Sequence, residues 1–264
     1  MSNYNYSFRR NRIVGPTRQV KTSDIYTPTV DQNHTLGVEF DLNDSTGRMF
    51  KYCKAGSTGL VKATMNQAEA VTANWVDEPQ TVSGGAIIAA IGDTSITLLV
   101  QTAPTVNVWN DGWMLVNNGT GKGEMYLIKK HTLTTNPRVE LVDTGGIRTA
   151  TVDGTDITIL KSLYRDIIVV PAGAGTHTPV GVALSTVTAD YYFWAQFRGP
   201  CPMLVDTNGG GAALVPGNMC GEPAAAQDDG TVGVVEADGT LVIYGTVLWI
   251  AEDLQYGMVN LTLP

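Results

Sequence analysis

The chain alternates short apolar runs with clusters of turn residues and shows almost no stretch with the 3.6-residue period of an amphipathic helix. Residues 36–41 predict a strand. The cluster Asn43, Asp44, Ser45, Thr46, Gly47 predicts a turn, and residues 48–54 predict a second strand in which Met49, Lys51 and Cys53 alternate with Phe50 and Tyr52, so the pair reads as a β-hairpin. Residues 60–73, which hold Ala, Met, Gln and Glu, form the best helix candidate, one short helix at most. Strand-sized runs come next at 87–91, 95–100, 105–108, 112–116, 124–130, 138–142, 149–152 and 156–160. A last series spans 167–170, 180–184, 191–197, 202–205, 231–235, 240–249 and 258–263, with Gly, Pro, Asn and Asp between the runs.

A strand every ~8–15 residues leaves no room for the crossover helices of a parallel sheet. The fold class expected is therefore all-β: an antiparallel sandwich or barrel-like body with long loops and an extended N-terminal arm. Three parts are expected: a basic arm over residues 1–32, a β-rich domain over 33–166 and an acidic β-rich domain over 167–264, the last two separate or interleaved as one fold. The seam lies near 164–178, where a Gly- and Ala-rich stretch coincides with a change in charge balance.

Composition sharpens this picture. Of 264 residues only 16% are charged, against roughly 25% in an average soluble protein, and 29 Gly and 12 Pro disfavour a helical bundle. No apolar run reaches the ~18 residues of a bilayer-spanning helix, and the sequence MSNYNYSFRRNR lacks the apolar block of a secretory signal. Cys53, Cys201 and Cys220 are odd in number and far apart, so buried free thiols are expected in place of disulfides or a thiolate metal site. The net charge of −8 is unevenly distributed: residues 1–23 carry five bases and no acid, whereas residues 167–264 carry nine acids and Arg198 alone. An acidic body argues against nucleic-acid binding, which needs clustered Lys and Arg.

Local chemistry is sparse. Gly119, Thr120, Gly121, Lys122, Gly123 invites comparison with a phosphate-binding loop, but Gly123 stands where the metal-binding hydroxyl belongs and Val116 where the first glycine belongs. A hairpin turn with Lys122 at a solvated tip is the expected reading. His34, His131 and His177 show no metal-ligand spacing. The pairs Asp77, Glu78 and Asp228, Asp229 are neighbours only in sequence; Trp109, Trp113 and Trp194 are expected in a core or interface more than in a sugar cleft. Gly56, Ser57, Thr58, Gly59 misses the register of a nucleophile elbow. No enzyme, cofactor, metal, membrane or small-molecule substrate is expected.

Two segments point to protein contacts. In the arm, Tyr4, Tyr6 and Phe8 precede Arg9, Arg10 and Arg12, a set that offers aromatic anchors and bidentate donors to a partner surface. In residues 190–201, four adjacent aromatics place rings on both faces of one strand, so both faces require cover from a central position in the sheet or from a neighbour. Tyr192, Trp194 and Arg198, the last as one member of a partly buried ion pair, are the candidates there.

Three segments, GRMFKYCKAG (47–56), TPVGVALSTVTADYYFWAQFRGPCPMLVD (178–206) and GTVLWIAEDLQYGMVNLTLP (245–264), give the chain a resemblance to the capsid decoration, or cement, proteins of tailed bacteriophages. The resemblance implies a virion structural protein on the outer surface of the capsid, made in the bacterial host cytoplasm. It implies a homotrimer that bridges adjacent capsomers, with the major capsid protein as partner. A phage tail or fibre part, another virion structural protein or a carbohydrate-binding protein is the alternative.

Overall fold

The computed structural model describes residues 20–42, 45–80, 87–172, 177–207, 214–223, 228–235 and 242–264. Among them the protein is all-β, with curled antiparallel sheets of barrel-like, sandwich character; its helical segments are two short 3-10 turns, Thr22–Tyr26 and Ala73–Trp75. Residues 60–73 do not form the expected helix. Ala63 takes a left-handed φ of 59°, which ends any helix there, and Met65, Asn66 and Gln67 are all buried as a strand. The Asn66 amide donates to the Gly181 and Thr64 carbonyls, at 3.0 Å each, a pairing that a solvent-facing helix would not supply. Residues 105–108 are likewise a turn, closed by the Val108 N–H on the Thr105 carbonyl.

The chain forms two compact units, and they are not the two halves expected from charge. One unit comprises the chain up to Glu69 and from Asp166 onward; the other is the inserted stretch Ala70–Arg165. The return of the chain falls at the expected seam, yet residues 33–69 belong with the strands beyond that seam. Charge balance along the sequence is blind to this, because strand partners are chosen in space.

The discontinuous unit opens with β1 (Glu39–Asp41), β2 (Met49–Lys54) and β3 (Met65–Gln67). The inserted unit contains β4 (Glu78–Gln80), β5 (Ile87–Ala89), β6 (Ser95–Thr97), β7 (Trp113–Asn118), β8 (Met125–His131), β9 (Arg138–Leu141), β10 (Thr151–Val152) and β11 (Thr155–Leu160). Back in the first unit, β12 (Ile168–Val169), β13 (Pro179–Ala183), β14 (Tyr192–Leu204), β15 (Met219–Gly221), β16 (Gly233–Val234), β17 (Ile243–Trp249) and β18 (Tyr256–Thr262) complete the chain.

In the inserted unit a six-stranded sheet runs β4-β11-β7-β8-β9-β6, and β10 pairs with β5. Alternation along β7 and β8 sends Met114, Val116, Tyr126 and Ile128 into a core that also holds Trp109 and Ile157. Residues 119–123 join β7 to β8 as a hairpin turn, with Gly119, Gly121 and Gly123 at φ of 80–88° and Lys122 exposed.

In the discontinuous unit ten strands form one sheet, β12-β3-β13-β14-β18-β17-β15-β16, with β2 on β14 and β1 on β2. The organiser is β14, which spans 13 residues: its first half pairs with β2 and its second with β18. Its odd-numbered side chains Phe197, Cys201 and Met203 enter the core beside Tyr244, Val259 and Leu261. The central-strand reading of the aromatic run holds, since Phe193 and Trp194, on opposite faces, are both buried.

Candidate functional site

β14 has two stretches with different surroundings, its start and its end, parted by the register shift between Gln196 and Arg198. The N-terminal segment packs against the first stretch. Thr29 and Tyr192 exchange both backbone hydrogen bonds, at 2.9 and 2.7 Å, as an antiparallel bridge. Towards the N-terminus the segment runs along β14: the Thr22–Tyr26 turn contacts that strand and buries Ile25. The Tyr26 hydroxyl accepts from Arg48 at 3.5 Å, beside the backbone of Gly199.

Beneath this segment is an aromatic cluster. Trp194 lies 5.2 Å from His34, 5.6 Å from Phe40 and 5.0 Å from Tyr52, centroid to centroid, and Tyr52 stacks on Tyr192 at 5.9 Å. The Asn33 N–H donates to the Tyr52 hydroxyl at 3.0 Å, a hydroxyl whose pKa is raised, chiefly by burial. Tyr192 and Trp194 thus meet in one place, as parts of the packing that anchors the start of the chain. Arg198 does not join them: it is exposed and has no ion-pair partner among the described residues, contrary to expectation. Its strand neighbours on the same face are Met49 and Thr262, which offer no carboxylate. Tyr4, Tyr6, Phe8, Arg9, Arg10 and Arg12 lie outside the described residues.

The end of β14 and the strands beyond it, β18, β17 and β15, carry exposed apolar side chains that the sequence pattern did not single out. Cross-strand register sets Pro202 beside Met258 and Met258 beside Trp249, with Leu204 beside Tyr256 in the next rung outward. Met219, opposite Thr246, continues the same face onto β15. Met219 is 61% exposed, Trp249 58%, Tyr256 46% and Met258 44%. Together they present on the order of 500 Å² of apolar surface, the size of a binding patch on a small protein. One signal was legible: in 256–262, Tyr256 and Met258 alternate with Gly257, Val259 and Leu261, so both faces of this strand are apolar at one end.

The remaining candidates have structural roles. Asp77 accepts from Asn117, and Glu78 lies buried on β4 with its carboxyl raised by burial. Asp229 accepts from the Ala172 N–H at 2.8 Å. The His131 ring packs 4.9 Å from that of Trp109 and accepts the Trp109 backbone N–H at 3.3 Å, and burial depresses the histidine pKa. Trp109 and Trp194 are buried in different units. Cys53, Cys201 and Cys220 are free and buried, as expected; burial pushes the Cys220 thiol up to about 12 and the other two higher still. Among the described residues no group of three or more His, Cys, Asp or Glu is placed to hold a metal ion, and no helix is long and apolar enough to cross a membrane.

One polar cluster stands apart, in the inserted unit. Glu124 accepts from the hydroxyls of Tyr126 and, at 2.7 Å, Thr149, while the Arg148 guanidinium lies 4.5 Å over the Tyr126 ring. Burial alone would raise the Glu124 carboxyl, but the two hydroxyls and Arg148 outweigh it and hold the pKa below the ordinary value. A depressed folded-state pKa stabilises the fold above the unfolded value, about 4.3, and this stabilisation is lost as pH falls through the folded value. Glu124→Gln is therefore expected to lower stability at pH 7 and to flatten the fall in urea midpoint on acidification below about pH 5, so that the two proteins converge in acid. A constant gap between them down to pH 2 would contradict this.

Compared with known families, curated proteins and solved structures, the chain matches no family model, no curated protein and no solved structure.

Proposed function

We propose that the protein is a structural component of a virion, which decorates the outer surface of a bacteriophage capsid and stabilises it by bridging adjacent capsomers. In this reading it acts as a homotrimer with the major capsid protein as partner, and it has no catalytic role, cofactor or small-molecule substrate. The observation that carries the reading is the open apolar face of β14, β18, β17 and β15 on a ten-stranded frame. A rigid sheet offering apolar area with few charges can meet a neighbour at little desolvation cost. The three segments that resemble cement proteins include β2, β14 and β18, the strands that build this frame.

The test is co-sedimentation with heads that lack this protein, combined with light-scattering mass. The expected result is saturable binding by a species of about 85 kDa, three copies of the 28.2 kDa chain, and improved survival of the heads on heating. A chain that leaves heads unbound and unprotected would overturn the reading and favour a tail or sugar-binding role.

A further inference from the structure

Arg165, the last residue of the inserted unit, is 4% exposed. A turn fixes its place: the Arg165 N–H donates to the Ser162 carbonyl at 3.0 Å, and the Tyr164 N–H donates to the Ser162 hydroxyl at 3.3 Å. The turn lies against the loop before β7, since a Cβ built on Gly112 would stand 3.1 Å from the Ser162 nitrogen. Within this setting Nε and Nη2 of Arg165 are enclosed and have no hydrogen-bond partner. None of the ion pairs among the described residues includes the guanidinium, and the adjacent acid, Asp166, lies 3.9 Å from Lys54.

The two unpartnered nitrogens form one edge of the planar guanidinium. Their N–H bonds run side by side, the fork that takes two oxygens of a single carboxylate or phosphate group. Charges buried in proteins are paired, because an uncompensated one is strongly destabilising. A water would accept from one N–H and leave the charge in place, and a chloride would meet the fork at a single point. An ion with two adjacent oxygens satisfies both donors and neutralises the charge.

A second donor in this part of the unit is also left over. The indole N–H of Trp109, 0% exposed, has no acceptor. The neighbouring ring of His131 has both nitrogens engaged, Nε2 by the Trp109 backbone N–H and Nδ1 at the Thr132 carbonyl, so it is a neutral tautomer that brings no negative charge. Burial and then the Arg165 charge hold the His131 pKa below its ordinary value, which puts the guanidinium within electrostatic reach of that ring.

We propose that the inserted unit binds a small oxyanion of the phosphate or carboxylate class on the Nε–Nη2 edge of Arg165. The ion is a structural ligand that neutralises the buried guanidinium, neither a substrate nor a cofactor. With so little of Arg165 exposed, the site admits a free ion of a few atoms and no folded partner surface. The inference goes beyond the proposed function and does not rest on it.

The test compares melting temperatures of the full-length protein in ~20 mM phosphate, acetate or chloride at equal ionic strength. Phosphate or acetate is expected to raise the wild-type value by about 3–5 °C over chloride, the shift for an ion at roughly ten times its dissociation constant. Arg165→Met, which keeps most of the length and loses the charge, is expected to show no such gain. In chloride it is expected to melt no lower than wild type, because it removes an uncompensated buried charge. Arg165→Lys keeps the charge without the fork and is expected to lose most of the gain. In the wild-type protein the Arg165 Nε–H resonance, assigned by its absence from Arg165→Lys, is expected to shift saturably with the stabilising oxyanion and not with chloride. Ion chromatography of the denatured protein identifies any oxyanion retained through purification, expected at no more than about one per chain.

A gain with phosphate alone would assign a tetrahedral oxyanion, and a gain with acetate a carboxylate. Equal stabilisation of wild type and Arg165→Met would reduce the effect to that of salt on the whole surface and overturn the site. An unmoved Nε–H resonance in protein that carries no retained oxyanion would overturn it as well, whatever the stability of the variants.

Discussion

Gly245→Ala is expected to lower the unfolding free energy by about 3 kcal/mol, the largest loss expected from adding one methyl group to this protein. Gly245 lies in β17 between β15 and β18, opposite Cys220 on one side and Leu261 on the other. A Cβ built there would stand 2.0 Å from the Asn260 carbonyl oxygen and 2.9 Å from its carbon. Both are backbone atoms, so no side-chain rotation relieves the overlap, and β17 and β18 must part with the loss of ladder hydrogen bonds. Gly217→Ala serves as the comparison: its φ of 89° makes any Cβ strained, but nothing lies within 4 Å of it, so it is expected to cost only about 1 kcal/mol. Urea unfolding tracked by circular dichroism measures both, and a Gly245→Ala midpoint equal to that of Gly217→Ala would contradict the packing argument.

Trp194→Ala is expected to cost about 4 kcal/mol, in the range for removing a buried tryptophan side chain, and to release the start of the chain. The indole, 3% exposed, touches the rings of His34, Phe40 and Tyr52, which belong to three different segments. Its loss leaves a cavity and removes the floor on which residues 29–41 rest. Limited proteolysis separates the two effects: cleavage within residues 20–41 is expected to accelerate at temperatures where the rest of the variant stays folded. Trp194→Phe, which keeps a ring in the site, is expected to recover more than half of the lost stability. Uniform destabilisation without selective cleavage would show that the backbone bonds of the segment, at Thr29 and along β1, hold it without the indole.

Both arguments depend on contacts between segments far apart in sequence, and this marks the boundary of what the sequence discloses. The hairpin of β1 and β2 and the turn at residues 119–123 were legible because turn residues and alternation are local signals. The aromatic run at 191–194 announced a strand covered on both sides, and the structure supplies β2 on one edge, the Thr29 bridge on the other and His34 against the Trp194 ring. For Arg198 the reasoning failed because scarcity of bases in a region does not place a carboxylate opposite the one that remains. β4 escaped notice because Pro79 argues against a strand; as an edge strand, it tolerates the missing donor. The open face was missed for a different reason: Trp249, Met258 and Tyr256 are the residue types that fill cores, and hydrophobicity does not say on which side of a sheet a residue stands.

By itself the sequence determined the all-β class, the approximate strand positions, the free cysteines and the separation of a basic arm from an acidic remainder. These come from period-two patterning, turn chemistry and charge counts, all of which act over a few residues. Only the tertiary structure decided that residues 49–54 and 65–67 pair with strands beyond Asp166 across the inserted unit, that residues 65–67 are a strand and not part of a helix, and that one apolar sheet face lies open. Antiparallel strands carry interchangeable backbone donors and acceptors. Which pair forms, and which face it buries, is therefore settled by the packing of the whole unit and not by any stretch of the chain alone.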